Sequence, residues 1–521
     1  MHTVSYPADM TGDESSSGAG SDLSIGRRHL LGALAAVGLA GCSGNGDGSD
    51  GSDGSDGGDG SDGGDGSDGS DGSDGGDADS STPTPTEDGA AATVAPADPE
   101  IADRIREHRT ATLSVEVTDG DGNAVEGADV AVAMQEHEFT FGTAVNAGTL
   151  INESSEGDDY RTYIPELFNT AVMENQMKWG FWERDRQLAD DAVQWCLDQG
   201  LDMRGHVCIW GSEGVGAIPA DMQTAIEERN AEAIREQSMQ HIEDIVTHYG
   251  DDITEWEVVN EAMHVFQFQL GVYGDQIDQE EPWTGEVVPW TSELLAEWYS
   301  HAQSVVDEND LDVGLAANDF NQFRYSYTDE RYQTEIDHIN ENGAQLDTVG
   351  LQGHVAANTG DFNTNSNPDG RISASQVAAE IDKFADHGAN VKITEFDTYG
   401  GDDWEDDEER AEALREYLRG AFAHSGVDGF LIWGFWDGRH WRDEAPLFYE
   451  DWEKKPAYDV WTGLVFDEWW TEETGTTDGE GSFSVSGFKG EYDVTATVDG
   501  EDVTETVDLS EDGATVELSP A

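Results

Sequence analysis

An α/β fold is what this sequence predicts, a closed TIM (β/α)8 barrel, and three observations predict it. Eight short apolar runs, mostly rich in β-branched residues, fall between residues 139 and 470. Between them lie stretches with apolar residues at three-to-four spacing, such as RQLADDAVQWCLDQG (186–200) and AEAIREQSMQHIEDIVTHYG (231–250). That is the period of an amphipathic helix. Polar residues cluster at the ends of these runs, where such a barrel places its active site. A doubly wound open sheet is the competing topology, and it explains the last pattern less well.

The runs are FTFGTAV (139–145), TAVME (170–174), MRGHVCIW (203–210), TEWEVVN (254–260), DVGLAAN (312–318), TVGLQGH (348–354), NVKITEF (390–396) and GFLIWGFW (429–436). The second ends in Glu174, with Asn175 and Lys178 just beyond. The third carries His206 and Trp210, and the fourth leads into Asn260 and Glu261. Asn318 and Asp319 close the fifth, Gln352 and His354 the sixth, and Glu395 and Asp397 the seventh. Trp433 lies in the eighth, with Trp441 on the loop after it. Folded into one barrel, all of these converge on its carboxyl-terminal face.

Carboxylates, amides, a lysine and indoles together are sugar-binding chemistry, because amides and charges bond paired hydroxyls and indoles stack on pyranose C–H faces. Glu261 and Glu395 each end an apolar run abruptly, and two such carboxylates are what a glycosidase needs. Read alone, either would be a solvated strand end, and His206 fits a hydrogen-bonded core histidine as well as a functional one. The histidines form no ligand-spaced pair, so no metal is expected and no cofactor is implied. No GxSxG elbow is present, which argues against an esterase.

Two flanks read as all-β. Residues 111–134 alternate around a Gly/Asn turn, and GSFSV, GEYDVTATV, VTETVDL and ATVEL alternate within 481–518. Neither is large enough to stand comfortably alone. Joined, 99–138 and 471–521 look like a prealbumin-like β-sandwich, split by the insertion of the barrel at 139–470. DGDGN (119–123) reads as a β-turn rather than a calcium loop, since the later bidentate glutamate position is missing.

The 521 residues carry 112 acidic against 25 basic side chains, a net charge of −87. That excess disfavours nucleic acid as a partner. It also repels itself unless salt screens it, so the composition resembles that of proteins from extreme halophiles. Arg27 and Arg28 precede the apolar LLGALAAVGLAG (30–41), which is too short to span a bilayer at about 20 residues. The pattern reads as a twin-arginine export signal over 1–42, and LAGC resembles a lipobox with Cys42 as the lipidated residue. Residues 43–98, largely GSD and GGD followed by a Pro/Thr segment, offer no core and read as a flexible tether. The expectation is an exported monomer, held at the outer face of the membrane only through its lipid. Cys196 and Cys208 read as buried free thiols.

MENQMKW (173–179), RGHVCIW (204–210), WEVVNEA (256–262), LQGH (351–354), ITEFD (393–397) and WGFWDGRHWR (433–442) resemble, in order, the motifs of glycoside hydrolase family 10, the endo-β-1,4-xylanases. The resemblance covers residues 139–470. It implies xylan or a related β-1,4-glycan as substrate, Glu261 as general acid/base and Glu395 as nucleophile. It assigns His354 to the nucleophile, Asn260 to the 2-hydroxyl of the reacting sugar, and Glu174, Asn175, Lys178, His206, Trp210, Gln352, Trp433 and Trp441 to the glycone side. Asn318 and Asp397 are expected to support the pair. The sequence departs from the family after Trp210, where Gly211-Ser212-Glu213-Gly214 replaces a glutamine-containing segment.

Overall fold

The computed structural model describes residues 97–357, 371–399 and 404–520. Arg27, Arg28, Cys42 and the tether lie outside the described residues. No helix among the described residues is long and apolar enough to cross a membrane.

Eight parallel strands close on themselves. In chain order they are Thr140–Val145, Thr170–Met173, Asp202–Gly205, Glu255–Asn260, Gly314–Asp319, Thr348–Leu351, Asn390–Thr398 and Val427–Ile432. Each pairs with the next, and the eighth pairs with the first. This closure rules out the open sheet. The strands are covered on both faces, which is why they read as apolar runs rather than alternating ones. The expected third and sixth strands are each broken. Ile209–Trp210 and His354–Val355 resume pairing after a gap. His206 lies in the first gap, and Gln352 lies in the second, where its N–H still donates to the Asp319 carbonyl at 3.0 Å and its carbonyl accepts from the Glu395 N–H at 2.7 Å.

Helices alternate with the strands and start at identifiable caps. Asp185, Asn230, Ser292 and Asp406 each accept a backbone N–H of the first turn, and Ser373 forms a reciprocal capping box with Gln376. The helix Ala231–Tyr249 buries Ile234, Ile242, Ile245 and Val246 against the barrel.

The barrel interior holds charge that the sequence reading did not anticipate. Arg204 donates to Glu255 at 2.6 Å and to Glu257 at 2.8 Å, and all three are buried. Lys392 and Thr348 also reach Glu255, at 2.9 and 2.7 Å. Bonds between the third, fourth, sixth and seventh strands place these groups inside the barrel. Glu255 and Glu257 alternate with Trp256 and Val258, whose side chains join the apolar core.

The two flanks interleave. Thr110–Val117 lies between Ser482–Phe488 and Ala514–Leu518 in one sheet. Asp129–His137 lies between Glu472–Thr476 and Gly490–Val498 in a second, which Glu501–Leu509 extends. Leu113, Val115, Val130, Val132, Tyr492, Val494 and Leu518 form a shared core separate from that of the barrel. The alternating burial of Asp129–His137 and Gly490–Val498 follows from facing that core on one side only. Residues Pro99–Arg109, expected within the β-rich flank, instead form a helix whose Ile101 and Ile105 pack into the barrel core. Arg109 ends that helix and donates to the carbonyls of Phe422, His424 and Val427, each at 2.7 Å. Val427 begins the eighth strand, so the helix and both sheets adjoin the amino-terminal face, opposite the polar strand ends.

Candidate active site

The strand ends bring Glu261 and Glu395 into one hydrogen-bonded frame. Gln352 Nε2 donates to Glu261 Oε1 at 3.0 Å and to Asn260 Oδ1 at 3.1 Å. Asn318 Nδ2 donates to Asn260 Oδ1 at 3.3 Å and to Glu395 Oε1 at 2.7 Å. Trp210 Nε1 donates to Glu261 Oε2 at 2.9 Å. Asn318 fits because the facing strand carries Gly350, where an added Cβ would come within 2.4 Å of the Asn318 amide oxygen.

Glu261 follows its strand directly and sits at φ 59°, a left-handed conformation that non-glycine residues rarely adopt. Its N–H donates to the Asn318 carbonyl at 2.9 Å. Such strain gathers where geometry matters for function. The barrel strand before it has a register shift between Glu257 and Val259, which turns the last residues relative to the earlier inward-facing pair.

The two carboxyl groups have different surroundings. Burial, joined by the negative charges of Glu395 and Asp319, pushes Glu261 up from 4.5 to about 7, against the hydrogen bonds from Gln352 and Trp210. Glu395 instead accepts from His354 Nε2 at 3.2 Å, and His354 Nδ1 lies 2.9 Å from Asp397 Oδ1. Burial opposes the charged imidazole, but Asp397 and Glu395 outweigh it and raise His354 to about 10. Asp397, buried beside that cation, is held well below the usual carboxylate range, also accepting from Trp441 Nε1 at 2.6 Å. One glutamate is thus placed to keep a proton near neutral pH, and the other faces a fixed positive charge.

The remaining predicted residues lie around this frame. Lys178 Nζ donates to Asn175 Oδ1 at 3.0 Å and stands 4.5 Å from the centre of the Trp210 ring. Burial lowers its pKa, although Glu174, Glu395 and Glu261 act to raise it. His206 Nδ1 bonds Glu257 Oε2 at 3.1 Å, leaving Nε2 for the cleft, and its ring meets the edge of Trp433 at 5.0 Å. Trp433 packs with Ala144, Val172 and Trp441. Glu213 is exposed on its loop.

Three participants were missed. Asn146, just past the first strand, donates to Glu174 Oε2 at 3.1 Å; the end of that run was never read for polar residues. His264, three residues after Glu261, bonds Asp319 at 2.6 Å and stacks on Phe320 at 3.9 Å. Glu257 orients His206, and a charge in mid-strand gave no signal of that role. His206, Glu257 and Glu395 bring ligand atoms within 4.8 Å of one another. Most of those oxygens are already engaged, Glu257 Oε2 by Arg204 and His206 and both Glu395 oxygens by Asn318 and His354. The donor set is therefore that of a charge-balanced protein network.

Fold and site together define a (β/α)8 barrel with a glutamate pair at the carboxyl ends of its fourth and seventh strands. The family model for glycosyl hydrolase family 10 matches residues 130–463, and the chain belongs to that family. It is 27% identical over 412 residues to anti-sigma-I factor RsgI6 of Acetivibrio thermocellus, covering 76% of this chain and 46% of that protein. To endo-1,4-beta-xylanase 1 of Arabidopsis thaliana it is 25% identical over 379 residues, covering 72% and 35%. The chain thus spans less than half the length of these two relatives. A shorter relative, the beta-1,4-xylanase of Dictyoglomus thermophilum, is 25% identical over 340 residues, covering 60% and 84%. Among solved structures, xylanase 10B of Thermotoga petrophila RKU-1 in complex with xylobiose aligns at TM-score 0.50 and 20% identity. The alignment covers 64% of this chain and 95% of that one, a likeness of fold.

Proposed function

We propose that the protein is an endo-β-1,4-xylanase that hydrolyses xylan with retention, using Glu261 as general acid/base and Glu395 as nucleophile. The observation that carries this reading is the contrast between a glutamate raised to about 7 and a second one held against the His354 cation. Glu261 protonates the leaving oxygen while Glu395 attacks the anomeric carbon, forming a covalent glycosyl-enzyme. Glu261, now ionised, takes a proton from water, which attacks the same carbon and releases Glu395. In this reading Asn260, bonded by Gln352 and Asn318, takes the 2-hydroxyl of the reacting sugar, and Lys178, His206, Trp433 and Trp441 take the glycone sugars. The relatives named as xylanases support the choice of xylan.

A second reading is a carbohydrate-binding surface protein whose barrel does not turn over; one relative of the chain is named as an anti-sigma factor and not as an enzyme. The complete frame around Glu261 and Glu395 supports the enzyme instead. Reducing-sugar release from xylan, carboxymethylcellulose and β-glucan separates these readings. Release from xylan above the others is expected; release from none would leave the binding protein.

The proposal includes export through Arg27 and Arg28, lipid anchoring at Cys42, and a monomer working in concentrated salt, supported by the signal-like sequence and the charge of −87. Cys42→Ser should move the protein from the membrane fraction to the medium, and retention with membranes would refute the anchor. Full activity with an unchanged melting temperature at ~0.1 M salt, where the Debye length is ~10 Å, would refute the salt requirement.

A further inference from the structure

On the carboxyl face, rings and guanidinium groups form a continuous series that starts beside the glutamate pair. Trp441, bonded to Asp397, lies 5.2 Å from the His354 ring, and the Arg442 guanidinium stands 4.1 Å over it. Tyr399, 6.4 Å from Trp441, accepts a hydrogen bond from Arg324 Nη1 at 2.8 Å. Arg324 also stands over Tyr325 at 5.1 Å, and Tyr325 stacks on Tyr327 at 5.4 Å. Arg331 then joins Tyr327 to Trp283, at 5.0 and 4.1 Å. The series ends in open rings, with Trp283 47% and Tyr327 51% exposed.

Folding does not account for this arrangement. Acidic side chains outnumber basic ones 112 to 25. Even so, Arg324, Arg331 and Arg442 make no ion pair with a carboxylate among the described residues. Arg324 Nε is buried with no hydrogen-bond partner. Two large rings left open to water also forgo the stabilisation of burial.

Building on the xylanase reading above, we propose that the part of this series beyond Trp441, from Arg442 and Tyr399 to Trp283, binds the leaving-group side of a xylan chain carrying uronic-acid substituents. The rings stack on sugar C–H faces, and the arginines pair with uronate carboxylates. The segments after the fourth, fifth and seventh strands supply Trp283, Arg324 to Arg331 and Tyr399, with Tyr327 and Arg331 on the helix Ser326–Asn342. Glu174, Asn175, Lys178 and His206, on the glycone side, come instead from the second and third, and the segment after the eighth carries Trp441 of the glycone side and Arg442 next to it. A planar guanidinium suits a carboxylate better than an ammonium does, and stacking on a ring holds it in place. A neutral chain would need only the rings. A chain bearing carboxylates meets a protein of charge −87, and local arginines offset that repulsion where the chain must lie.

The test measures binding and hydrolysis separately, in one high-salt buffer. Binding is compared on the Glu395→Gln variant, using glucuronoxylan and the same polymer after reduction of its carboxyl groups. The acidic polymer should bind about fivefold more tightly, since contact ion pairs outlast the screening of long-range charge. Adding Arg324→Gln and Arg331→Gln should bring the two affinities together, and the exposed Arg442→Gln alone should narrow the gap. Equal binding of the two polymers by Glu395→Gln, or a preference that survives every arginine substitution, would overturn the proposal. Hydrolysis of neither polymer by the unmodified protein would remove the xylanase reading, while the binding comparison would still decide the role of the arginines.

Discussion

Asn318 Nδ2 donates to Glu395 Oε1 at 2.7 Å, and the carbonyl of the same Asn318 accepts the N–H of Glu261 at 2.9 Å. One residue on the fifth strand therefore ties together glutamates that arrive on the fourth and seventh. The distance between the two carboxyl groups, on which a double displacement depends, is set through this residue and Gln352.

Asn318→Ala should lower kcat/KM on xylan about 10- to 100-fold, the effect of removing one hydrogen bond to a charged group. Fold and melting temperature should change far less than turnover. Steady-state kinetics beside a thermal melt checks this, and a loss under twofold would show that Asn318 does not hold Glu395.

Glu261 predicts the alkaline side of the pH profile. The group acts as an acid only while protonated, so kcat/KM should fall as pH rises through about 7. In Glu261→Ala, aryl xylosides with good leaving groups should still be cleaved at the glycosylation step, without that limb. Stability moves in the same direction. The folded pKa lies above the ordinary 4.5, so the stability of the neutral form is complete below about 4.5 and is lost as pH rises to about 7. Glu261→Gln removes that titration, and its stability advantage should grow across this window by on the order of 3 kcal/mol. Denaturant melts at pH 4.5 and 8 read the difference; a gap that shrinks with pH would contradict the assignment.

Arg204 is the cation on which the barrel interior depends. Arg204→Met leaves Glu257 buried with His206 as its remaining hydrogen-bond partner and should cost about 3–5 kcal/mol of stability. Arg204→Lys should recover only part of it, because one ammonium cannot reproduce two bonds from a guanidinium fork. A denaturant midpoint unchanged in Arg204→Met would mean that the network contributes little.

The sequence was legible where the chain obeys one period. The strand runs, the helices between them and the polar strand ends could all be read, because a strand buried on both faces leaves an apolar signature and its end does not. It was less legible where two faces are buried for different reasons. In TEWEVV, Glu255 and Glu257 point into the barrel and Trp256 and Val258 outward, an alternation that also fits a half-exposed strand. The strand Glu472–Thr476 carries no apolar residue at all, and only its pairing with Asp129–His137 defines it. The helix Pro99–Arg109 had visible signals: Asp98 as cap, proline in the first turn, and Ile101 and Ile105 four apart. It was absorbed into a flank read as β throughout.

The central claim is that Glu395 attacks the anomeric carbon while Glu261 handles the proton. Proton NMR of the first products formed from a xylo-oligosaccharide, recorded before mutarotation, tests it most directly. The account predicts the β-anomer first, with the α-anomer appearing only as the sugar equilibrates. An α-anomer formed first would mean that water attacks in a single inverting step and that Glu395 is not a nucleophile.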